Sequence, residues 1–561
     1  MHADRPSRGI RPGRECNRLV GSTTSPTARK RLVRLKRLVP LLATTGLLAT
    51  ALPLLAATQA SAAPEPAYLK QKPAWQRCAG EGPAAYECAT LKVPLDYRRP
   101  GGRTIDLAIS RIRTAHPAQR HGVMLFNPGG PGGSGLQDPL LMEELMPKDV
   151  RDRYDLIGFD PRGVGASTPL TCGLTEDEQN INRPFRPETY RADLAWARTV
   201  ADKCREKSGD LIPHITTRNT ARDMDTIRAV LGERKLSYVG YSYGTYLGAV
   251  YAQMFPQRTD RFVLDSGVDP QRIWRGMIQV WATEAEPAFA RWTRYAAERS
   301  AEFGLGATPE AVSTTLWDLV ARADREPIDY YGTKFTGTDI RASRAVFFYP
   351  AQASEFVRQL KAAAEGTPLP EGAKAPDLRR LVGGARSGDP QPAADNGTAV
   401  LWSVLCGDTG AWPRQPERYA RDAAKDGAAY PLYGDMASNV KPCAFWDRPV
   451  EPATAMTGRA DVLTVQNEWD SQTPLASGLG LHRALKGSRM ALAAGGEGHG
   501  VYLIDATSCV NPVVNGYLTT GRLPASDVTC QNPPADRQRR LSRNPVEPLP
   551  FPSVPGPFLA S

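Results

Sequence analysis

The eleven residues "YVGYSYGTYLG", from Tyr238 to Gly248, decide how this chain is interpreted. Ser242 stands between Gly240 and Gly244 in the pattern G-x-S-x-G, and the stretch "LSYV" leads into it. On a sharp turn between a strand and a helix, such a serine projects its hydroxyl away from the backbone and can act as a nucleophile. The chain has 50 glycines in 561 residues, so a glycine-rich turn with a passive serine is the alternative.

Strand and helix patterns alternate on both sides of this turn. Apolar or alternating runs typical of strands occur at 104–113, 122–126, 154–160, 261–267, 460–470 and 488–500. A helix that stops at a glycine is predicted over 220–232, and another helix follows the turn itself. Strands that alternate with helices favour an α/β fold with a mostly parallel central sheet.

The chain is predicted to have five parts. Long helical patterns replace the alternation after residue 270, and they end in a stretch rich in Gly, Pro and Asp, which indicates a helical cap inserted over the sheet. The last 31 residues are rich in proline and are expected to be extended. The parts are a signal peptide (1–62), the N-terminal part of the core (63–270), the cap (271–395), the C-terminal part of the core (396–530) and the tail (531–561).

The positive charge of the chain is concentrated near its start. Residues 1–62 carry nine of the eleven net positive charges, so the remainder is nearly neutral and offers no electrostatic basis for nucleic-acid binding. The basic stretch "ARKRLVRLKR", a following apolar stretch and "ASA" predict a signal peptide cleaved near Ala62. A secreted protein without stable membrane association is therefore expected. A membrane anchor is the alternative, because the apolar stretch is almost long enough to span a bilayer.

Eight cysteines remain after the predicted cleavage, and an even number in an exported protein favours disulfides. Eight cysteines allow about a hundred pairings. We expect nearest neighbours to pair, as Cys78–Cys88, Cys172–Cys204, Cys406–Cys443 and Cys509–Cys530. Metal binding is the alternative, but the chain lacks C-x-x-C spacing and H-E-x-x-H, so neither a metal nor a cofactor is expected.

The order of groups along the chain narrows the search for a catalytic base. In α/β-hydrolase folds an acid and then a histidine follow the nucleophile. Of the six histidines, only His482 and His499 come after Ser242. His482 lies in a helical pattern, whereas His499 lies in the glycine-rich loop "GGEGHG" after a strand, where a base can project over the sheet. We therefore predict His499 as the base.

The acid should stand at the end of the strand before the histidine loop. The segment "VLTVQNEWDSQTP" offers Glu468 and Asp470. We favour Asp470, because it lies just beyond the strand and leads into Pro474, where a new helix can begin. Either carboxylate could instead cap a helix or be solvated.

Two backbone N–H groups are needed to stabilise the oxyanion of a tetrahedral intermediate. One is predicted to come from Tyr243, the residue after the nucleophile. The other should come from the loop "NPGGPGGSG" (127–135), in which Gly129 and Gly130 would allow the backbone to approach a substrate closely. A flexible turn is the alternative for this loop.

Five motifs, "NPGGPGGSG", "DPRGVGAS", "GYSYGTYLG", "DSQTP" and "GHG", follow one another in the chain. In this order they resemble the secreted bacterial tripeptidyl aminopeptidase-like α/β-hydrolases, relatives of the prolyl iminopeptidases, over about residues 70–530. The resemblance implies Ser242 as nucleophile, Asp470 as acid, His499 as base and the Gly-Gly loop as half of the oxyanion hole. It also implies a serine exopeptidase that releases short peptides, tripeptides among them, from substrates with a free N-terminus.

One departure from the related branch and two other functions have to be weighed. Pro128 stands where prolyl iminopeptidases have a histidine, which argues against strict proline iminopeptidase activity. A secreted carboxylesterase would use the same triad, so the motifs do not separate it from a peptidase. A hydrolase fold that only binds is disfavoured because all triad residues are present.

The cap of an exopeptidase has to recognise the substrate ammonium. Glu284 and Glu286 in "WATEAEPAF" are candidates, although solvated helix charges are the expected reading of both. Trp274, Trp281 and Trp292 could line an apolar pocket, but we expect them to form the core of the cap.

Overall fold

The computed structural model describes residues 66–79, 83–367 and 393–533. The predicted signal peptide (1–62), part of the predicted cap (368–392) and all but the first three residues of the predicted tail lie outside the described residues. The boundaries of the five parts therefore stay a prediction.

Ten of the described strands form one sheet, and two others form a small hairpin. The strands are β1 (Gln76–Arg77), β2 (Tyr86–Pro94), β3 (Thr104–Ile112), β4 (Gly122–Asn127), β5 (Tyr154–Phe159), β6 (Leu236–Tyr241), β7 (Thr259–Asp265), β8 (Ile328–Tyr330), β9 (Thr333–Phe335), β10 (Leu463–Trp469), β11 (Arg489–Glu497) and β12 (Val528–Gln531). The sheet order is β1-β2-β3-β5-β4-β6-β7-β10-β11-β12, and β8 pairs with β9. All neighbours from β5 to β12 pair in parallel, while β1, β2 and β3 add antiparallel pairs at one edge. The predicted α/β fold with a mostly parallel sheet is confirmed.

Helices fill the connections between the strands. They are α1 (Asp138–Leu145), α2 (Lys148–Arg151), α3 (Glu176–Gln179), α4 (Tyr190–Ser208), α5 (Thr217–Val230), α6 (Tyr243–Met254), α7 (Arg275–Glu298), α8 (Ser300–Phe303), α9 (Pro309–Arg325), α10 (Gly337–Ala342), α11 (Pro350–Ala364), α12 (Asn396–Gly407), α13 (Pro416–Ala429), α14 (Gly434–Ser438), α15 (Leu475–Ala484) and α16 (Asn511–Thr520). The helix predicted over 220–232 is α5, which starts three residues earlier because Thr216 caps it by accepting the N–H of Asn219.

The central strands are apolar on both faces because helices cover both sides of the sheet. In β4, Val123 and Leu125 belong to one hydrophobic cluster, whereas the alternating Met124 and Phe126 belong to another. Successive side chains of a strand point to opposite faces, so a strand buried on both sides has an unbroken apolar sequence. This is why the run "GVMLF" predicts a central strand.

Helix α7 connects the core to a separate layer of helices. Its first half, with Met277 and Ile278, packs into the main hydrophobic cluster, while Ala288 and Trp292 in its second half pack with α9 and α11 in a second cluster. Most of the second cluster comes from the segment predicted as the cap, and Leu432 joins it from the C-terminal part of the core. One helix thus joins the core and the cap layer.

All four predicted disulfides are present: Cys78–Cys88, Cys172–Cys204, Cys406–Cys443 and Cys509–Cys530. Such bonds are consistent with an extracellular, oxidising compartment. Within the described ranges, no helix combines the length and apolarity needed to cross a membrane.

Candidate active site

Ser242 occupies the turn between β6 and α6 in a strained backbone conformation. Its φ is 56° and its ψ is −123°, an unusual combination for a residue with a side chain. A hydrogen bond from the Ser242 N–H to the carbonyl of Asp265 at 3.0 Å stabilises this conformation. A Cβ on Gly244 would lie 2.9 Å from the carbonyl oxygen of Asn127, so a larger residue does not fit there. The glycines of the motif thus allow the turn that exposes the serine.

Asp470 and His499 are in direct contact. His499 Nδ1 lies 2.9 Å from Asp470 Oδ1 and 3.1 Å from Oδ2, and the Asp470 side chain is completely buried. Because a carboxylate accepts hydrogen bonds, this contact puts a proton on Nδ1 and leaves Nε2 as an acceptor. That is the tautomer that a general base needs.

Asp470 is held as a carboxylate by its surroundings. Its Oδ1 accepts the backbone N–H groups of Gln472 at 2.8 Å and Thr473 at 2.9 Å, and its Oδ2 accepts the Thr473 hydroxyl at 2.9 Å. Burial raises the pKa of Asp470, but His499 and these N–H groups outweigh that effect, so the pKa lies below its usual value. The acid is therefore ionised at neutral pH and can stabilise an imidazolium.

The loop that carries His499 is fixed from both sides. Asn467 donates its side-chain amide to the carbonyls of Gly498 at 3.0 Å and Gly500 at 3.1 Å. On the other side, the Gly500 N–H donates to the hydroxyl of Ser266 at 2.8 Å. Asp265 accepts the next two N–H groups of the loop, although burial raises its own pKa to about 7. The end of β7 therefore holds both the nucleophile turn, through the Asp265 carbonyl, and the histidine loop.

The structure brings the acid and base together and places Ser242 beside them without a direct bond. Between Ser242 and His499 no hydrogen bond is present in the described part of the chain. The Ser242 N–H binds Asp265, the last residue of β7, and the N–H of Gly500, next to His499, binds the following Ser266. Catalytic hydrogen bonds in unliganded enzymes are often long and shorten when substrate binds. The three residues thus converge at the carboxyl ends of β6, β10 and β11.

The predicted oxyanion loop lies directly against the nucleophile. Gly129 has a φ of 103°, and a Cβ there would lie 2.9 Å from Cβ of Ser242 and 3.4 Å from the nitrogen of Tyr243. The N–H of Gly129 already donates to the side chain of Asn127 at 3.2 Å. By contrast, the backbone N–H groups of Gly130 and Tyr243 have no hydrogen-bond acceptor within the described residues. The backbone N–H groups of Gly130 and Tyr243 are therefore left available for an oxyanion, whereas that of Gly129 is already engaged by Asn127.

The motif "DPRGVGAS" supports this loop from beneath. Asp160 accepts the hydroxyl of Ser134 at 2.6 Å and the N–H of Gly135 at 3.2 Å, and its other oxygen accepts the N–H of Ala166 at 2.8 Å. Arg162 is completely buried and pairs with Asp223 at 2.6 Å. The motif therefore has a structural role next to the site.

The two alternative residues have other partners. Glu468 accepts the N–H of Gly495 at 2.6 Å, which ties two strand ends together. His482 lies in α15, as predicted, and contacts Ser488 at 2.8 Å and Asp527 at 3.1 Å. Neither has a hydrogen bond to Asp470, His499 or Ser242 in the described structure.

A mostly apolar cavity adjoins Ser242. Gly130, Ser242, Tyr243, Gln472 and Thr473 lie on the reacting side, and its apolar walls are Pro131, Ile181, Val268, Trp274, Met277, Ile278, Trp281, Leu401, Trp402 and Leu405. The expectation that all three tryptophans form the cap core is right for Trp292, which is fully buried in the second cluster, and wrong for Trp274 and Trp281. Helix α7 docks with its N-terminal half against the core, so its first tryptophans face the site.

The two glutamates of α7 are half-buried, not solvated as expected. Burial raises the pKa of both Glu284 and Glu286. Glu286 accepts the N–H of Leu432 at 3.0 Å. Glu284 forms no ion pair within 4.0 Å among the described residues, although the charge of Arg272 partly offsets the effect of burial on its pKa, and it lies one helical turn beyond Trp281.

Two residues near the site, Thr473 and Arg344, escape sequence reasoning. Thr473 contacts both Asp470 and His499, the latter at 3.4 Å, and its position three residues after the acid is a turn signal that could have identified it. Arg344 donates to the carbonyl of Ser471 at 2.8 Å and lies 4.7 Å from the ring centre of Trp281. No local sequence pattern marks Arg344, because the carbonyl that it binds lies 127 positions away.

A family model described as alpha/beta hydrolase fold matches residues 122–327, and one described as TAP-like protein matches residues 430–530. A tripeptidyl aminopeptidase of Streptomyces lividans is 36% identical over 477 residues, covering 81% of this chain and 86% of that protein. Serine protease Hip1 of Mycobacterium tuberculosis is 30% identical over 499 residues, covering 82% of this chain and 91% of that protein. Carboxylesterase B of the same species is 29% identical over 463 residues, covering 79% of this chain and 86% of that protein. This chain therefore belongs to the tripeptidyl aminopeptidase family of α/β-hydrolases and is a serine hydrolase of the peptidase type.

Proposed function

We propose that this protein is a secreted serine aminopeptidase that cleaves short peptides, with tripeptides as the expected product, from the free N-terminus of oligopeptides. The contact between His499 and the buried Asp470, beside the strained Ser242 turn, is the observation that carries the proposal. The names of the related tripeptidyl aminopeptidases support the substrate class.

The proposed reaction uses an acyl-enzyme. Ser242 Oγ attacks the scissile carbonyl and gives its proton to Nε2 of His499, while Gly130 and Tyr243 donate to the oxyanion. The imidazolium then protonates the departing amine, so the C–N bond breaks and an ester to Ser242 remains. Water, deprotonated by His499, attacks this ester and releases the short peptide. Asp470 keeps the ring oriented and stabilises its charge throughout.

A free substrate N-terminus requires an anionic partner in the cap. Glu284 is the candidate with the stronger support, because it is half-buried, has no ion pair in the described structure and follows the cavity residue Trp281 by three positions. An ammonium paired with a half-buried carboxylate gains a charge-assisted hydrogen bond.

The triad is tested with matched controls. Ser242→Ala, Asp470→Asn and His499→Ala should each reduce turnover by orders of magnitude while the far-UV circular dichroism stays native. Glu468→Gln and His482→Ala replace the neighbouring acid and the other late histidine, and both should retain most of the activity. Retained turnover in His499→Ala together with lost turnover in His482→Ala would reverse the assignment of the base.

Three substrates separate the peptidase from the alternative carboxylesterase. They are a free-amine tripeptide with a chromogenic leaving amide, its N-acylated twin and a simple aryl ester, with Ser242→Ala as the blank. Cleavage of the free-amine peptide alone supports an aminopeptidase that recognises the ammonium, and Glu284→Gln should then lower its kcat/KM. Cleavage of the ester with both amides intact would support the carboxylesterase.

Secretion has its own test. The proposed signal peptide ends at Ala62, so the mature protein collected from the culture medium should begin at Ala63. Mass spectrometry of the N-terminal peptide measures this directly, and a protein retained in the membrane fraction with residues 1–62 attached would support the anchor instead.

A further inference from the structure

The apolar cavity beside Ser242 has a defined place relative to the scissile bond. Its lining includes the nucleophile and both oxyanion donors, Gly130 and Tyr243, but not His499. His499 has to protonate the departing amine, so the leaving group lies on the histidine side. The cavity therefore lies on the acyl side, where the side chain of the residue before the scissile bond (the P1 residue) is held.

We propose that this cavity is the P1 pocket and that it selects an uncharged apolar side chain of about the size of leucine or methionine. The inference rests on the proposed peptidase function and adds its substrate class. Six side chains form most of the apolar wall: Trp274, Met277, Trp281, Leu401, Trp402 and Leu405. Within the described chain, no Asp, Glu, Lys or Arg side chain lines the cavity.

The size of the cavity limits the side chain that it accepts. The space within it that the centre of a water molecule can occupy is about 60 Å³, and on this measure one water needs about 10–15 Å³. Space for a few waters corresponds to the four heavy atoms of a leucine or methionine side chain. Alanine leaves most of it empty, and tryptophan exceeds it.

Asp408 is buried behind the wall of the cavity, but it does not make the pocket selective for basic side chains. Asp408 accepts the N–H of Thr217 at 2.8 Å and its hydroxyl at 2.6 Å, and also the indole N–H of Trp274 at 3.2 Å. Thr217 in turn contacts the hydroxyl of Tyr243 at 2.8 Å. These hydrogen bonds engage both oxygens of Asp408, so its role is to hold two cavity residues, Trp274 and Tyr243, in place.

The wall is built before substrate arrives. Helix α12 contributes Leu401, Trp402 and Leu405. Its first residue, Asn396, donates to the carbonyls of Gly163 at 2.8 Å and Leu170 at 2.7 Å, and near its end Cys406 is bonded to Cys443. A preorganised apolar pocket favours apolar side chains without a large ordering cost.

The test is a series of free-amine tripeptide anilides that differ only at P1, with Leu, Met, Ala, Phe, Lys and Glu. We expect kcat/KM for Leu and Met to exceed that for Ala by about 10- to 100-fold, because each added methylene contributes severalfold in an apolar pocket. Lys and Glu should fall below Ala, since the pocket offers no partner for a charge. Equal rates across the series, or a preference for Lys or Glu, would overturn the proposal.

Variants test whether the residues that line the cavity determine the P1 preference. Leu405→Ala enlarges the pocket and should raise the Phe/Leu ratio of kcat/KM by about tenfold. Val404→Ala, a buried neighbour on the same helix that does not line the cavity, should leave the ratio unchanged. If Leu405→Ala does not fold, Met277→Ala replaces it. An unchanged ratio in a folded wall variant would contradict the assignment.

The pocket can be tested even if the proposed peptidase activity fails. When no anilide is cleaved, the matching aryl esters of the same amino acids are used, because the acyl side of the reaction is identical. An ester series ranked Leu and Met first would support the pocket while refuting the peptidase. A flat ester series would refute the pocket as well.

Discussion

Replacement of Arg344 by methionine should lower kcat while the protein remains folded. Arg344 comes from the cap layer and is fully buried, and no Asp or Glu among the described residues forms an ion pair with it. Its guanidinium donates to the carbonyl of Ser471 at 2.8 Å and, more weakly, to the side chain of Gln472 at 3.4 Å. Both acceptors belong to the loop that follows Asp470. The cap layer therefore helps to position the catalytic acid.

The size of the effect follows from these contacts. A hydrogen bond from a charged donor contributes about 1.5–3 kcal/mol. Because only the bond to Ser471 is short, we take about 2 kcal/mol, which corresponds to a loss of about 30-fold in kcat if all of it positions the acid loop. The unfolding free energy should fall by about 1–3 kcal/mol, because the substitution leaves the carbonyl of Ser471 without its donor.

The pH profile gives a second readout. Burial lowers the pKa of Arg344 to about 10, partly countered by Tyr433 and Asp470, so the group is still charged at neutral pH. A nearby cation favours the carboxylate form of Asp470, so its loss should move the acid limb of kcat/KM to higher pH. The other titratable groups that act on Asp470 are His499, Tyr349 and Asp265, and the substitution leaves all three in place.

The assay compares kcat, KM and thermal unfolding of Arg344→Met, Arg344→Lys and a control. The control is Arg299→Met, a cap arginine stacked 3.8 Å from the ring centre of Tyr295 and without contact to the acid loop. Arg344→Lys keeps the charge and should keep the acid limb while losing part of kcat. Unchanged kcat in Arg344→Met, or the same loss in Arg299→Met, would refute the reasoning.

Three other predictions concern residues around the site. Thr473→Val removes the hydroxyl bond to Asp470 and should lower kcat about 10- to 100-fold with little change in KM, while Thr473→Ser should recover most of it; equal activity in both variants would contradict this. Replacing Cys406 and Cys443 together by serine opens a loop of sequence separation 37 and should reduce the unfolding free energy by about 4 kcal/mol, measured by urea titration; a loss below about 1 kcal/mol would contradict the estimate. Burial raises the pKa of Asp408 to about 6, whereas the unfolded chain ionises near pH 4, so this group lowers stability as pH rises from about 4 to 6. Asp408→Asn should flatten that part of the stability profile, and an unchanged slope in urea titrations would exclude the effect.

The fold and the contact between Asp470 and His499 could be predicted because their signals lie in short stretches of sequence or in the order of residues along the chain. An apolar run such as 122–126 requires a strand covered on both faces, and the elbow motif requires a tight turn at Ser242. His499 follows from chain order, since only two histidines come after the serine. Each of these inferences uses residues that are neighbours in sequence, or an order that the topology of a parallel sheet imposes.

The residues that sequence reasoning placed wrongly or missed depend on how distant segments dock. Trp281 is expected in the cap core from its helical pattern, yet its indole N–H donates to the carbonyl of Gln472 at 2.6 Å, across 191 positions. Arg344 reaches Ser471 across 127 positions. The choice between Gly129 and Gly130 depends on which N–H the side chain of Asn127 occupies. None of these contacts can be predicted from the local periodicity of apolar and polar residues.

The acid loop is consequently held by two separate parts of the chain. Gln466 of β10 donates to the carbonyl of Thr473 at 2.9 Å from the core side, while Trp281 and Arg344 bind the carbonyls of Gln472 and Ser471 from the cap side. Any displacement of the cap that breaks the latter contacts removes two anchors of the loop that carries Asp470. A cap that only covered the cleft could be displaced without affecting the acid. Here the position of the cap affects the loop that carries Asp470. Replacement of the cap residue Arg344 should therefore alter kcat and not only KM.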